Sequence, residues 1–187
     1  MVRCQPRPSD DAVARGEAGL ILYDVRGRVL VLDGNQRSAL AAVRALGRRG
    51  VDVMVGESST ASLAGHSKYC RGTVVYGSAY DDPERFLSSL AELVQAHDIG
   101  VLLPMTDVTA SAIVRHKSQF ADVQIPLPSP ESFDTLTNKS TLANVAAELG
   151  VPTPLSVCIH DTDELPAALQ RLTPPFVIKP VHSKIWC

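Results

Sequence analysis

Residues 28–33, Arg-Val-Leu-Val-Leu-Asp, form an unbroken aliphatic run between a basic and an acidic end. A run of this kind buries both of its faces, as parallel strands covered by helices do. Gly34 and Asn35 then turn the chain, and Leu40, Val43 and Leu46 fall on one stripe, which predicts a helix over 36–48. Gly50 suits a left-handed helix cap, and 51–55 reads as a second strand, completing a βαβ unit.

The pattern recurs. Val74 and Val75 mark a short strand, and Asp81, Asp82 and Pro83 open a helix that carries Phe86, Leu90, Leu93 and Val94 on one face. Residues 100–104 read as a buried strand stopped by Pro104. Asp107 is expected to cap a helix running to about Lys117, and 123–127 to add a last short strand. Strands and helices alternating at these lengths predict an open, Rossmann-like parallel α/β sheet.

The rhythm then changes. Asn138 caps a helix bearing Leu142, Val145, Ala146 and Leu149, and Gly150 ends it. Pro152 and Pro154 stiffen the segment that follows. A strand over 155–159, a helix over 163–172 and a strand over 176–180 are predicted after it. The expected organisation is a tail at 1–18, a Rossmann-like domain at 19–135, a linker helix and Pro-rich linker at 136–154, and the start of a second, α+β domain at 155–187.

Composition excludes several function classes. Eighteen basic against twenty acidic residues give a net charge of −2, which argues against a nucleic-acid partner. Arg44, Arg48 and Arg49 read as a solvated helix face. No apolar stretch is long enough for a membrane helix, and the polar N-terminus has no signal-peptide core. Cys4, Cys70, Cys158 and Cys187 form no CxxC pair, so reduced thiols in a cytoplasm are expected, with Cys70 and Cys158 buried. His66, His97, His116, His160 and His182 show no metal-binding spacing.

Three segments sit at the carboxyl ends of predicted strands, where open α/β sheets bind ligands: 33–38, 104–107 and 179–183. The first lacks the three glycines of a dinucleotide fingerprint, which disfavours a nicotinamide cofactor. Asp33, Gly34, Asn35 and Arg37 are candidates for small-ligand contact. Equally, Gly34 and Asn35 serve simply to turn the chain, and Asp33 either receives a ligand amine or caps the helix. Thr106 and Asp107 form the second candidate pair, with helix capping as the plainer role of Asp107. Lys179 closes an apolar run, Phe-Val-Ile-Lys, and a buried ammonium there needs an anionic partner such as phosphate. Lys139 lies in the first turn of its helix, where a cation opposes the dipole unless an anion joins it. A solvated or salt-bridged lysine is the alternative for each.

The order of RVLVLDGNQRSALAAVRALGRRGVDVMV, HSKYCR, VLLPMTD, TNKSTLANVAAELGVPTP and PFVIKP resembles the ATP-grasp superfamily over residues 28 to 180. Its relatives include biotin carboxylase and the large subunit of carbamoyl-phosphate synthetase. The resemblance implies an N-terminal portion: a pre-ATP-grasp domain followed by the first part of an ATP-grasp domain. It implies a ligase that uses ATP and Mg2+ to make an acyl-phosphate from a carboxylate and passes it to an amine. Lys139, Lys179 and Ser183 would then bind the ATP phosphates, and the 33–38 and 104–107 loops would border a small carboxylate or amine substrate. A homodimer stays open. After Lys179 the chain reads VHSKIWC, without the glycine-rich loop many members carry. The family's catalytic arginine and metal carboxylates fall beyond Cys187, so a fragment without catalytic residues and without ligase activity is expected. A non-catalytic, Rossmann-like binding or docking module is the alternative.

Overall fold

The computed structural model describes residues 27–182. The tail expected at 1–18 and the candidate Ser183 lie outside the described residues. Four parallel strands form the sheet: β1 (Arg28–Val31), β2 (Val53–Glu57), β3 (Gly72–Val75) and β4 (Ile99–Leu103). Their spatial order is β3-β2-β1-β4. The chain therefore steps outward from β1 to β3 on one side and returns to β1's other side with β4. The order reverses between β1 and β4, and that is where open sheets of this type expose a ligand crevice.

The helices are α1 (Arg37–Gly47), α2 (Pro83–Ala96), α3 (Asp107–Arg115), α4 (Pro130–Thr137), α5 (Lys139–Glu148) and α6 (Leu165–Gln170). Strand alternation divides the core into two layers. Leu30, Leu32, Met54 and Val74 meet Phe86 and Leu90 of α2 and Ile113 of α3 on one face. Val29, Val31, Val53 and Val55 meet Ala39 and Val43 of α1 on the other. β1 and β2 are covered on both sides, as their continuous apolar runs predict, whereas β3 at the sheet edge leaves Thr73 and Val75 exposed. Gly50 adopts φ 80° after α1, the left-handed conformation that glycine takes without steric cost. Asp82 caps α2, accepting from Arg85 N, and Pro83 occupies its first turn.

Several expectations need correction. β2 begins two residues later than predicted, because pairing with β1 sets its register at Val29 against Val53. The strand expected at 123–127 is reduced to one parallel bridge, Val101 with Gln124. Pro126 and Pro128 lack the N–H groups a longer ladder needs. Thr106, not Asp107, caps α3: its hydroxyl accepts from Thr109 N at 3.3 Å. The sequence reading missed α4, although Ser129 and Pro130 announce it: Ser129 caps the helix and Pro130 opens it. Phe133 of α4 packs on Ala110 and Val114 of α3.

The C-terminal segment departs furthest from expectation. Residues 155–159 and 176–180 form no strand among the described residues. A strand needs ladder partners, and none of the four strands pairs with either run. Leu155, Val177 and Ile178 are instead more than 70% exposed. Lys179 is exposed, which removes the argument that its ammonium is buried. Cys158 is exposed and Cys70 half-buried, against the expectation of two buried thiols. No residue of α5 is fully buried: of its predicted apolar stripe, Val145 and Ala146 are half-buried and Leu142 is exposed among the described residues.

Candidate functional site

Asp33 follows β1 at the switch point, and its backbone is left-handed, with φ 57°. Its Oδ2 accepts from Met105 N at 2.8 Å and from Thr109 Oγ1 at 2.7 Å. Its own N–H donates to the Tyr76 hydroxyl at 2.8 Å. Asp33 thus ties the ends of β1 and β4 together and ties both to the residue after β3. Only 8% of it is exposed. Burial pushes its carboxyl above the ordinary range, and the bonds from Thr109 and Met105 oppose that shift. Burial, followed by the nearby Asp33 charge, also raises the Tyr76 phenol.

Gly34 fits a tight place. A Cβ there would stand 2.6 Å from Val55 Cγ1 and 2.9 Å from Ser62 Cβ. The following loop clasps this turn: Ala64 N donates to Gly34 O at 2.8 Å, and Leu63 N to Asn35 Oδ1 at 3.1 Å. The amides of the turn are spent internally, Gly34 N on Gly56 O, Asn35 N on Glu57 Oε2 and Gln36 N on Asp33 O. These three amides are therefore closed to a ligand, whereas the first turn of α1 has no side-chain cap.

A cavity of about 190 Å3 opens over the carboxyl ends of the sheet. Asp33, Asn35 and Gln36 wall it from the end of β1, and Glu57 and Ser58 from the end of β2. Tyr76, Ser78 and Tyr80 close it beyond β3, with Thr106 and Thr109 at the start of α3. Of the sequence candidates, Asp33, Asn35 and Thr106 meet here. Gly34 lies beneath the wall, and the exposed Arg37 and Asp107 stand outside it. Sequence reasoning missed Glu57 and Tyr76. Each closes or follows an apolar strand, so the strand-end logic used for Asp33 extends to both.

The later candidates occupy a different corner. Lys139 N and Lys139 Nζ both donate to the Val181 carbonyl, at 3.1 and 3.3 Å. The segment just after Lys179 therefore packs on the start of α5. Asn138 Oδ1 accepts from Ser140 N and Thr141 N, each at 3.0 Å. With Lys139 N on Val181 as well, the first three amides of α5 are occupied. An anion at this corner would be held by side chains.

No family model matches the sequence. No curated protein matches it. Solved structures do. N5-carboxyaminoimidazole ribonucleotide synthetase from Thermotoga maritima superimposes with a TM-score of 0.55 at 17% identity, over 80% of this chain and 37% of its own. The biotin carboxylase domain dimer of Hydrogenobacter thermophilus 2-oxoglutarate carboxylase, solved with MgADP, ADP and bicarbonate, gives 0.57 at 15% identity, over 80% and 34%. L-amino acid ligase from Bacillus licheniformis gives 0.53 at 14%, over 78% and 42%. The fold is that of the N-terminal region of ATP-grasp ligases. Identities this low carry the ATP-grasp likeness as far as the fold. The chain spans between 34% and 42% of the length of these three ATP-grasp chains.

Proposed function

We propose that this chain forms the N-terminal part of an ATP-dependent carboxylate–amine ligase of carboligase type. In the full reaction a carboxylate oxygen attacks the γ-phosphorus of ATP, ADP leaves, and an amine then displaces phosphate from the acyl-phosphate. Lys139, Lys179 and Ser183 bind the ATP phosphates. Two cations converging on one triphosphate offset its charge where it develops. The observation that carries the reading, beyond the shared fold, is the contact of Lys139 with the Val181 carbonyl, two residues after Lys179.

The 33–35 turn and Thr106 border the acceptor side, with Arg37 and Asp107 outside the cavity wall. Among the described residues no group of three or more His, Cys, Asp or Glu side chains gathers to hold a metal. The Mg2+ of the family reaction therefore finds no fit on them. No helix among the described residues is long and apolar enough to cross a membrane. A cytoplasmic setting and a homodimer belong to the same proposal.

Because the chain spans under half of the solved ligases, the test reads binding rather than turnover. Titration with Mg-ATP, followed by amide NMR, is expected to shift Lys139 and Val181. Charged hydrogen bonds contribute about 1.5–3 kcal/mol each, so Lys139→Ala and Lys179→Ala should each weaken binding about tenfold or more. NAD should leave these signals in place. An equal response to NAD, or a K139A/K179A double variant that binds Mg-ATP as the parent does, would sink the reading. A non-catalytic small-molecule-binding or partner-docking module is favoured by one observation: the cavity is walled entirely by residues between 33 and 109.

A further inference from the structure

We propose that the cavity at the carboxyl edge is a subsite for the vicinal diol of a sugar, read by Glu57 and the Tyr76 hydroxyl.

The charged side chains in its wall are Asp33 and Glu57, and neither Lys nor Arg lines it. A phosphate or carboxylate would meet negative charge there without a counter-ion. The two carboxylates differ in availability. Asp33 is buried, and its Oδ2 already accepts from Met105 N and Thr109 Oγ1. Glu57 accepts three bonds, from Asn35 N, Ser58 N and Ser58 Oγ. A carboxylate offers about four lone-pair positions, so one remains. The donors that hold Glu57 are uncharged, and no cation among the described residues pairs with it. It is a fixed, oriented acceptor at the cavity wall.

Tyr76 supplies the complementary group. It is 5% exposed, and its oxygen accepts from Asp33 N. Its own O–H finds no acceptor among the described residues, although it borders the cavity. A ligand that accepts from this buried, unmatched donor removes the cost of its desolvation. The cavity thus asks one group to donate to Glu57 and to accept from Tyr76. An ammonium cannot accept, and an ionised carboxylate cannot donate. A hydroxyl does both. The Ser78 and Thr106 hydroxyls stand in the same wall for the adjacent hydroxyl of a diol.

Position and size agree. An acidic residue at the end of the second strand, about 20 residues after the first turn, is where open α/β sheets hold a ribose hydroxyl. Glu57 ends β2. A volume of about 190 Å3 lies below the range of about 300–1,000 Å3 typical of whole-ligand pockets and suits one sugar ring. The inference stands on the cavity. Set beside the ligase reading, it says that the acceptor carries a sugar end.

Three amides report on the two recognising groups: Asp33 N–H lies on the Tyr76 oxygen, and Asn35 and Ser58 N–H on Glu57. Titration of the intact chain with methyl β-D-ribofuranoside should shift all three saturably. The 2-deoxy riboside should bind about tenfold more weakly, the share of one hydrogen bond to a charged group. Propylammonium and propionate should leave the three amides in place. Glu57→Gln should weaken the riboside at least as much as loss of the 2-hydroxyl does. The parent-chain comparison stands even where E57Q does not fold. No saturable shift with the riboside, equal binding of the deoxy sugar, or an equal response to either ion overturns the proposal. These signals are separate from those of Lys139 and Val181, so the subsite and the nucleotide reading fail independently.

Discussion

Asp33 carries more of the architecture than any other polar residue in the core. Its carboxylate joins two strand ends, and its left-handed backbone turns the chain between them. The sequence marked it as a strand-end acid with two roles open. In the fold its Oδ2 accepts from partners 72 and 76 residues away, and the residue also lines the cavity. Its raised carboxyl makes a prediction with a definite sign. The folded protein keeps the Asp33 proton to higher pH than the unfolded chain does. That contribution is present near and below the ordinary value of 3.8 and is lost as pH rises through the raised one. Asn can accept the same bonds and tolerates the left-handed backbone, but has no proton to lose. The stability of Asp33→Asn relative to the parent should therefore climb as pH rises from about 4 to about 7 in urea unfolding. A difference that stays flat with pH would show that Asp33 does not titrate as its burial requires. Asp134 and Asp161, whose carboxyls are lowered by Arg115 and by the Asp163 amide, titrate alike in both proteins and cancel.

At the scale of elements, local signals placed the helices well. Asp82-Pro83, Asn138 and Gly50 each sit where the cap rules put them. The errors came where two caps competed or where a short apolar run needed a partner. Thr106 precedes Asp107, and the hydroxyl rather than the carboxylate reached the first-turn amide. The runs at 155–159 and 176–180 are coded as strands, yet a ladder is a property of two segments, and the second is not among the four strands of the sheet. α5 is the element most dependent on its own cap, since none of its residues is fully buried. Removing the Asn138 side chain costs about 1 kcal/mol of helix stability. Asn138→Ala should therefore speed hydrogen exchange across 142–148 by roughly fivefold, while the amides of Val29 and Val31 in β1 stay unchanged. Equal acceleration in β1 would mean that α5 unfolds only with the sheet.

The whole molecule has two unequal parts. Residues 27–137 bury a continuous two-layer core, whereas the chain beyond 150 leaves Leu155, Val177 and Ile178 largely open. Apolar surface of this kind promotes association. Replacing Val177 and Ile178 together with Ser should leave the urea midpoint within about 0.5 kcal/mol of the parent, since neither packs on the core. The same change should reduce concentration-dependent association in sedimentation. A loss of about 2 kcal/mol or more would place the segment inside the cooperative unit instead. The sequence by itself determined the α/β class, the helix boundaries marked by caps and the strands that are buried on both faces. These follow from periodicity and from residues within a few positions of each other. Tertiary structure alone decided the strand order, and with it the switch point where Asp33 meets Thr109. It also decided the joining of Glu57 and Tyr76 in one cavity and the docking of Val181 on Lys139. Each of these depends on pairings between segments far apart in the chain, which hydrogen-bond register and burial select and local pattern does not encode.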